Sequence, residues 1–397
     1  MHLNREALFT HRRQPAKARS AKLEAATWPG STRSWLARFA TSPISIASRR
    51  PWFRNWLAFL FLALATTGCG SFVARRMAQA PNSYPQWFGS LARVELAFDQ
   101  NFLTNFPAHF TEVGPPSAQL RYRIVEPADY HLQVSSTNWL KHGRSHFTFN
   151  FHTSLPGQSN AWTAMPRGTV VLLHGYGLAQ FAMTPWAMRL AQDGWRCVLV
   201  DLRGHGKSTG QRIYFGVQEP LDLSQLLDAL TRAGQLAEPV AALGESYGAA
   251  LALRWKTVEP RLTSVVAIAP YAGLSNAVLN ICRDYAAWLP TGLVQAGLRQ
   301  LPAVLQVEPD ELDTRTVLAR RPVAALFVAG TEDKIAPPAT VRQLYELAAP
   351  GSELIVLPQA THEALPYYFD ELSPPVLSWL ERQSGAGKVM ERQPTRP

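Results

Sequence analysis

A mostly parallel α/β sheet flanked by helices and carrying a helical insertion is the fold class that this 397-residue sequence predicts, and three features predict it. First, short apolar runs recur at 170–173, 197–202, 240–243, 265–269, 323–329 and 354–357, separated by segments of helix length. Apolar runs alternating with helical lengths are the pattern of βαβ units, whose parallel strands are covered on both faces. Second, residues 274–321 contain no strand-like run, and include Tyr285-Ala286-Ala287-Trp288-Leu289 and the apolar stretch 293–301. This part reads as a mainly helical cap inserted into the sheet domain. Third, a serine flanked by glycines follows the run at 240–243 directly, where a strand would turn into a helix.

Composition sets the outer limits. The chain is 47% hydrophobic and 17% charged, which suits a globular domain with a large core rather than a disordered chain. Its formal net charge of +10 is concentrated at the front: residues 1–54 hold 11 of the 39 Lys and Arg but only Glu6 and Glu24 of the 29 acids. The leader therefore carries +9 and the remainder +1. A near-neutral body exerts no general pull on a polyanion, so nucleic acid is excluded as a partner. The three cysteines, Cys69, Cys197 and Cys282, lack the paired spacing of a zinc site or a disulfide framework, and neither metal nor cofactor is expected. Cys197, inside an apolar run, reads as a buried thiol.

The chain divides as a basic leader (1–55), an apolar signal or anchor (56–69), a linker with a helix (70–118), the first part of the core (119–273), the cap (274–321), the rest of the core (322–382) and a tail (383–397). Arg49, Arg50 and Arg54 precede the apolar run 56–65, as a charged segment precedes the hydrophobic part of a signal peptide. The next residues, Thr66-Thr67-Gly68-Cys69-Gly70, look like a bacterial lipoprotein cleavage site with Cys69 as the lipidated residue, although Thr66 stands where such sites usually carry Leu. The competing reading is an uncleaved anchor through residues 57–74. Either places the protein at a membrane of the bacterial cell envelope, and the arginines ahead of the run put the main domain on the periplasmic side.

Val94, Phe98, Phe102, Phe106 and Phe110 stand four apart, which predicts a helical stripe packing onto the main domain. Runs at 120–125, 130–135 and 146–152, broken by Pro, Asn and Gly, predict opening antiparallel strands.

Gly244-Glu245-Ser246-Tyr247-Gly248 is a G-x-S-x-G sequence between a strand-like run and the helix-favouring Ala249-Ala250-Leu251-Ala252-Leu253, the context in which a sharp turn lifts a serine above a sheet. A second match, Gly206-Lys207-Ser208-Thr209-Gly210, lacks that context, and Asp201 stands where a phosphate-binding loop needs glycine. A serine nucleophile needs a base, and the base an orienting acid. His362 is the one histidine of ten that lies downstream of Ser246, and Asp333 follows the run at 323–329, with Glu332 as its rival. The expected triad is thus Ser246, Asp333 and His362, in that chain order. The oxyanion formed on attack needs aimed donors, for which the backbone N–H groups of Tyr247 and of Tyr176, in the glycine-rich turn His174-Gly175-Tyr176-Gly177, are the candidates. His174 is expected to brace that turn.

Together, His174-Gly175, Asp201-x-Arg203-Gly204-His205-Gly206-x-Ser208, Gly244-x-Ser246-x-Gly248, Gly330-x-x-Asp333 and His362-Glu363 resemble the monoacylglycerol lipase, lysophospholipase and serine aminopeptidase group of α/β hydrolases, over about residues 168–380. The resemblance implies the α/β-hydrolase fold, metal-independent acyl hydrolysis through an acyl-enzyme, and a structural role for the loop from Asp201 to Ser208. A membrane-associated esterase or lipase acting on an acyl ester or lipid is the leading expectation, with Tyr271, Tyr285, Trp288 and Leu289 as candidate linings of an acyl pocket. A serine aminopeptidase would instead need Glu308, Asp310 or Glu311 to hold a substrate amine. A thioesterase and a non-catalytic envelope binding protein are the remaining alternatives. Oligomeric state stays open.

Overall fold

The computed structural model describes residues 68, 70–83, 94–141, 144–155 and 165–384. The basic leader, the apolar run 56–65, the lipidation candidate Cys69 and the tail from residue 385 lie outside the described residues, while residues 383 and 384 close the last helix. Among the described residues, no helix is long and apolar enough to cross a membrane.

The strands are β1 (Val94–Phe98), β2 (His109–Val113), β3 (Ala118–Val125), β4 (His131–Lys141), β5 (Arg144–Ser154), β6 (Thr169–Leu173), β7 (Arg196–Val200), β8 (Val240–Glu245), β9 (Leu262–Ile268), β10 (Leu326–Gly330) and β11 (Glu353–Leu357). Eight of them form one sheet in the order β11-β10-β9-β8-β6-β7-β3-β2. Every pair from β11 through β7 is parallel, while β3 runs antiparallel to β7 and β2 antiparallel to β3. The strands after Thr169 are those that the apolar runs predict. Their side chains alternate between the two faces. Val171 and Leu173 of β6, with Val265 and Ala267 of β9, enter the core on one face. Val170, Leu172, Val266 and Ile268 enter the core on the other. A strand buried on both faces has no polar side, which is why these segments read as unbroken apolar runs.

Helices cover both faces. α3 (Glu219–Arg232), α4 (Tyr247–Lys256) and α8 (Pro338–Glu346) pack on the first face. α2 (Thr184–Gln192) and α9 (Phe369–Ser384) pack on the second, where the Trp186 indole N–H reaches across to the Pro366 carbonyl at 2.9 Å. The strand order reverses about β6: its sequence successor β7 lies on one side and β8 on the other. In an open α/β sheet, the crevice at the carboxyl ends of the strands beside such a reversal is where ligands bind.

Between β9 and β10 the chain is helical, as α5 (Leu274–Tyr285), α6 (Thr291–Leu305), a 3-10 turn (Pro309–Leu312) and α7 (Thr314–Arg320). Several bonds fasten this cap to the core. Asn280 Nδ2 donates to the Ile335 carbonyl at 3.1 Å, and buried Arg254 of α4 donates through Nη1 to the Glu311 carbonyl at 2.5 Å. A helix over residues 70–78 (α1) crosses α6 so closely that a Cβ on Gly297 would fall 2.4 Å from Val73 Cγ1. The chain after α1 is stitched to the loop that follows β7: Ile213 N donates to Ala78 O at 2.9 Å, Ala80 N to Gln211 O at 3.1 Å, and Asn82 Nδ2 to Ser208 O at 2.9 Å.

One expectation fails upstream of β3. Residues 94–110 do not form a helical stripe: the chain runs through β1, a 3-10 turn (Gln100–Asn105) and β2. The fourfold spacing of phenylalanines arises because a short turn capped by Asp99, whose carboxylate accepts from Asn101 N at 2.9 Å, sits between two strands. Pro107 has no N–H with which to continue a helix. Phe102 and Phe106 pack edge to face with ring centroids 5.6 Å apart in the core, whereas Phe110 is half exposed on β2. The expected antiparallel opening strands are present and are shared between two sheets. β3 joins the large sheet, while β4 and β5 pair antiparallel in a separate sheet with β1, which is parallel to β5. This small sheet is held by aromatic burial: the Phe149 and Phe151 rings lie 5.0 and 5.9 Å from Tyr367.

The loop from Asp201 to Ser208 is a knot of buried polar bonds. Asp201 accepts from Gln180 N at 2.8 Å and Lys207 N at 3.0 Å, and Ser208 Oγ donates to Asp201 O at 2.6 Å while accepting from Arg121 N at 2.8 Å. Arg203 meets Asp222 of α3 through two 2.7 Å bonds, both side chains being almost fully buried. Deleting one member of a buried pair strands the other charge. Asp222→Ala is therefore expected to lower unfolding free energy by about 3–5 kcal/mol, read as a drop in the urea midpoint at unchanged slope.

Candidate active site

The turn between β8 and α4 is built around backbone that only bare glycines permit. A Cβ on Gly244 would fall 2.2 Å from Gly248 O, and one on Gly248 would fall 2.1 Å from Leu173 O. Those contacts let α4 start immediately against the ends of β6 and β8. Ser246 at the corner adopts φ 51° and ψ −107°, a conformation costing about 1–3 kcal/mol for a residue with a side chain. It is pinned from both sides, its N–H donating to Ile268 O at 2.8 Å and its carbonyl accepting from Ala250 N at 3.1 Å. The first N–H groups of a helix have no intrahelical acceptor, so those of Tyr247 and its successors open α4 beside the serine as a small positive pole.

Asp333 and His362 arrive from the ends of β10 and β11. His362 Nε2 lies 2.8 Å from Ser246 Oγ, and its Nδ1 lies 2.8 Å from Asp333 Oδ2. The other carboxylate oxygen accepts from Ile335 N at 2.9 Å and Ala336 N at 2.7 Å, which fixes the rotamer of a buried aspartate. With Nδ1 bonded to a carboxylate, the imidazole carries its proton there and offers Nε2 as acceptor to the serine hydroxyl. Burial pushes the His362 pKa down, while the charge and hydrogen bond of Asp333, and the charge of Glu245, push it up; the balance is upward from the ordinary imidazole value. Glu332, the rival acid, is exposed and directs its N–H to Ala360 O. The structure thus brings Ser246, His362 and Asp333 into one hydrogen-bonded relay. The second serine match, Ser208, is buried with its hydroxyl committed on both sides.

His174 follows β6 directly and is fully buried. It donates from Nδ1 to Gly175 O at 2.8 Å and accepts at Nε2 from Leu202 N at 3.1 Å, so both ring nitrogens are occupied. Burial holds its pKa down to about 4, leaving it neutral: a brace with no proton to shuttle. Gly175 lies against the serine, since a Cβ built on it would be 3.8 Å from Ser246 Cβ. The rings of Tyr176 and Tyr247, whose N–H groups are the candidate donors, lie 6.4 Å apart near the perpendicular.

The candidate pocket residues are spread out. Tyr271 is buried in the core and donates through its hydroxyl to Phe215 O at 3.4 Å; Tyr285 and Leu289 are half-buried on the cap; Trp288 is 79% exposed. The acids that an amine-binding site would use are engaged locally. Glu308 and Glu311 form a capping box, and Asp310 pairs with Arg320 at 3.0 Å. Burial pushes the Cys197 thiol up and keeps it a thiol. Among the described residues, no cluster of His, Cys, Asp or Glu is placed to hold a metal ion.

Glu245 is the residue that sequence reasoning passed over. It fills a variable position of the serine motif, yet its side chain is buried at 3% exposure and its Oε1 accepts from Gly175 N at 3.1 Å. A charged residue at the end of an otherwise apolar strand was the available signal, because Glu is seldom buried unless it is partnered.

A serine on a strand-to-helix turn above a mostly parallel sheet, followed in sequence by its acid and then its base, is the arrangement of the α/β-hydrolase fold, and this chain has that fold. A family model described as serine aminopeptidase, S33, matches residues 164–315, which hold Ser246 but neither Asp333 nor His362. Among solved structures, the esterase Pf2001 of Pyrococcus furiosus is similar at 19% identity over 73% of this chain and 96% of that one, with a TM-score of 0.52. A second crystal form of that esterase aligns at 20% identity over 73% and 98%, with a TM-score of 0.51. At such identities the likeness is one of fold.

Because His362 must be neutral to accept a proton, kcat/KM for any substrate of this site is expected to rise with pH through a midpoint above the ordinary imidazole value of about 6.5. A pH–rate profile checks this; a midpoint below that value would mean that burial outweighs Asp333.

Proposed function

We propose that the chain is a serine hydrolase that cleaves carboxylic esters through an acyl-enzyme. The observation that carries this reading is the continuous relay from Ser246 Oγ through His362 to Asp333. In the reaction, Ser246 Oγ attacks the ester carbonyl as His362 Nε2 takes its proton, and Asp333 stabilises the imidazolium. The N–H groups of Tyr247 and Tyr176 receive the oxyanion. Collapse of the tetrahedral intermediate expels the alcohol, protonated by His362, and leaves an ester on Ser246. Water, deprotonated by the same imidazole, then attacks that ester and releases the acid.

The substrate class within this reading is a lipid ester of lysophospholipid or monoacylglycerol type, and the site of action is a membrane surface. The apolar run 56–65, the basic residues before it and Cys69 motivate the membrane association, with the catalytic domain on the periplasmic side. Peptide-bond cleavage is the second reading, favoured by the description of the matching family model. The local engagement of Glu308, Asp310 and Glu311 counts against it.

A panel of p-nitrophenyl esters of increasing chain length, lysophospholipid, monoacylglycerol and aminoacyl amides, run beside Ser246→Ala, tests the proposal. Ester turnover is expected, with a loss on the order of 10⁶-fold in kcat for the variant, as for other serine hydrolases stripped of the nucleophile. Amide turnover in place of ester turnover would select the second reading, and equal inactivity of two folded proteins on every substrate would remove both. Trp288→Ala is expected to weaken turnover of long-chain esters selectively, and an unchanged chain-length profile would place Trp288 outside the acyl path.

A further inference from the structure

Glu245 is a buried acid at the centre of the site for which the triad mechanism has no use. Its Oε1 accepts from Gly175 N, and its Oε2, equally buried, has no hydrogen-bond partner among the described residues. The groups that face it come from separate elements. Gly175 belongs to the turn after β6, where neutral His174 braces the same turn; His362 follows β11; and Tyr367 stands in the short helical turn beyond it.

The geometry around Gly175 gives the contact a consequence. The peptide joining Gly175 to Tyr176 is planar and trans, so the Gly175 carbonyl and the Tyr176 N–H point in opposite directions. That carbonyl is held by the His174 Nδ1–H at 2.8 Å and by Leu178 N at 3.2 Å. Glu245 holds the N–H on the other side of the same residue. Gly175 is thus clamped at both polar groups, between the Glu245 carboxylate and the serine. A Cβ built on it would lie 3.4 Å from Glu245 Oε1 and 3.8 Å from Ser246 Cβ. Turning the peptide that carries the Tyr176 N–H would break one clamp or the other.

We propose that Glu245 is a positioning residue for the hydrolytic reaction: its carboxylate clamps the Gly175 N–H, so aiming the Tyr176 N–H at the oxyanion, and it sets a second buried acid beside the base His362. The inference rests on the serine-hydrolase reading of the site. The two roles separate by chemistry. A glutamine keeps an oxygen for Gly175 and loses the charge; an alanine loses both.

The charge role has a pH signature. Burial raises the Glu245 carboxyl to about 7, against the pull of the Gly175 hydrogen bond and of His362, which places its titration in the range where the base titrates. Two interacting groups titrating together give macroscopic steps that belong to the pair. In the native protein, the anion at Glu245 holds His362 protonated to higher pH. In Glu245→Gln that support is gone, so the acid limb of the rate profile moves to lower pH and sharpens to a single proton.

The test uses the full chain, native and with Glu245→Gln, Glu245→Ala or Ser246→Ala, in two measurements. The first is kcat and KM against pH on an activated ester. The second is the His362 titration by NMR of protein labelled with ¹⁵N-histidine, which needs no turnover. Glu245→Ala is expected to lower kcat on the order of 10²-fold with little change in KM, the size of losing one aimed donor. Glu245→Gln is expected to recover most of that loss while lowering the His362 pKa by about half a unit or more, the effect of removing a nearby like-signed partner of Asp333. Native kcat in Glu245→Ala, together with an unmoved His362 titration in Glu245→Gln, would overturn the proposal while leaving the hydrolase reading intact. If the native protein, folded, turns over no ester, the hydrolase reading falls and with it the oxyanion role, and the NMR titration alone decides the charge coupling.

Discussion

The contact on which the site depends is the approach of α4 to the ends of β6 and β8, made possible by the absence of side chains at Gly244 and Gly248. Backbone atoms there pass at distances that a single Cβ would forbid, so the chain reverses within one residue and that residue, Ser246, takes up a left-handed backbone. Everything else in the site is measured from that corner. The helix opens beside the hydroxyl, the turn after β6 comes against the serine at Gly175, and the ends of β10 and β11 bring in the acid and the base. The sheet pays back the strain through close packing of its apolar strands, all fully buried along β6, β8 and β10. This is a common economy of active sites: a conformation unfavourable in isolation is held by a scaffold that determines it from several directions.

The imidazoles around the site are set apart by burial and by one hydrogen-bonded carboxylate. His174 and His205, whose rings lie 5.0 Å apart, are held neutral by burial, at about 4 and about 3. They contribute shape and hydrogen bonds and take no part in titration near neutrality. His362 is moved the other way by Asp333. What separates His362 from the other two is the direct hydrogen bond from its Nδ1 to the Asp333 carboxylate at 2.8 Å.

Much of this was legible in the sequence, for definite reasons. A strand buried on both faces must be apolar along its length, so the parallel strands announced themselves as runs. The serine corner announced itself because its glycines are demanded by sterics and its flanks by secondary structure. Asp333 and His362 could be picked out because each follows an apolar run, at a strand's carboxyl end. The front of the chain was misread where a periodic signal had two sources. Phenylalanines four apart arise equally from a helix and from a turn set between two strands, and only Asp99 and Pro107 mark the difference. The pairing of β4 and β5 with β1 rather than with the main sheet depends on aromatic contacts with Tyr367 and Phe369, some 220 residues away in sequence, which no local pattern carries. Glu245 was missed because the motif treats its position as free, and burial is a tertiary fact.

The segment from residue 70 to Ser83 fixes where this chain can be shortened. Its helix fits the surface of α6 with Gly297 against Val73, and its end is bonded to the loop after β7 through Ala78, Ala80 and Asn82. Proteolytic trimming ahead of residue 70 leaves each of those contacts in place. Trimming beyond Ser83 strips the apolar flank of α6 and the carbonyl row of the loop at once. The boundary of the catalytic unit therefore falls well upstream of the first strand of its large sheet, in residues that touch none of the catalytic groups.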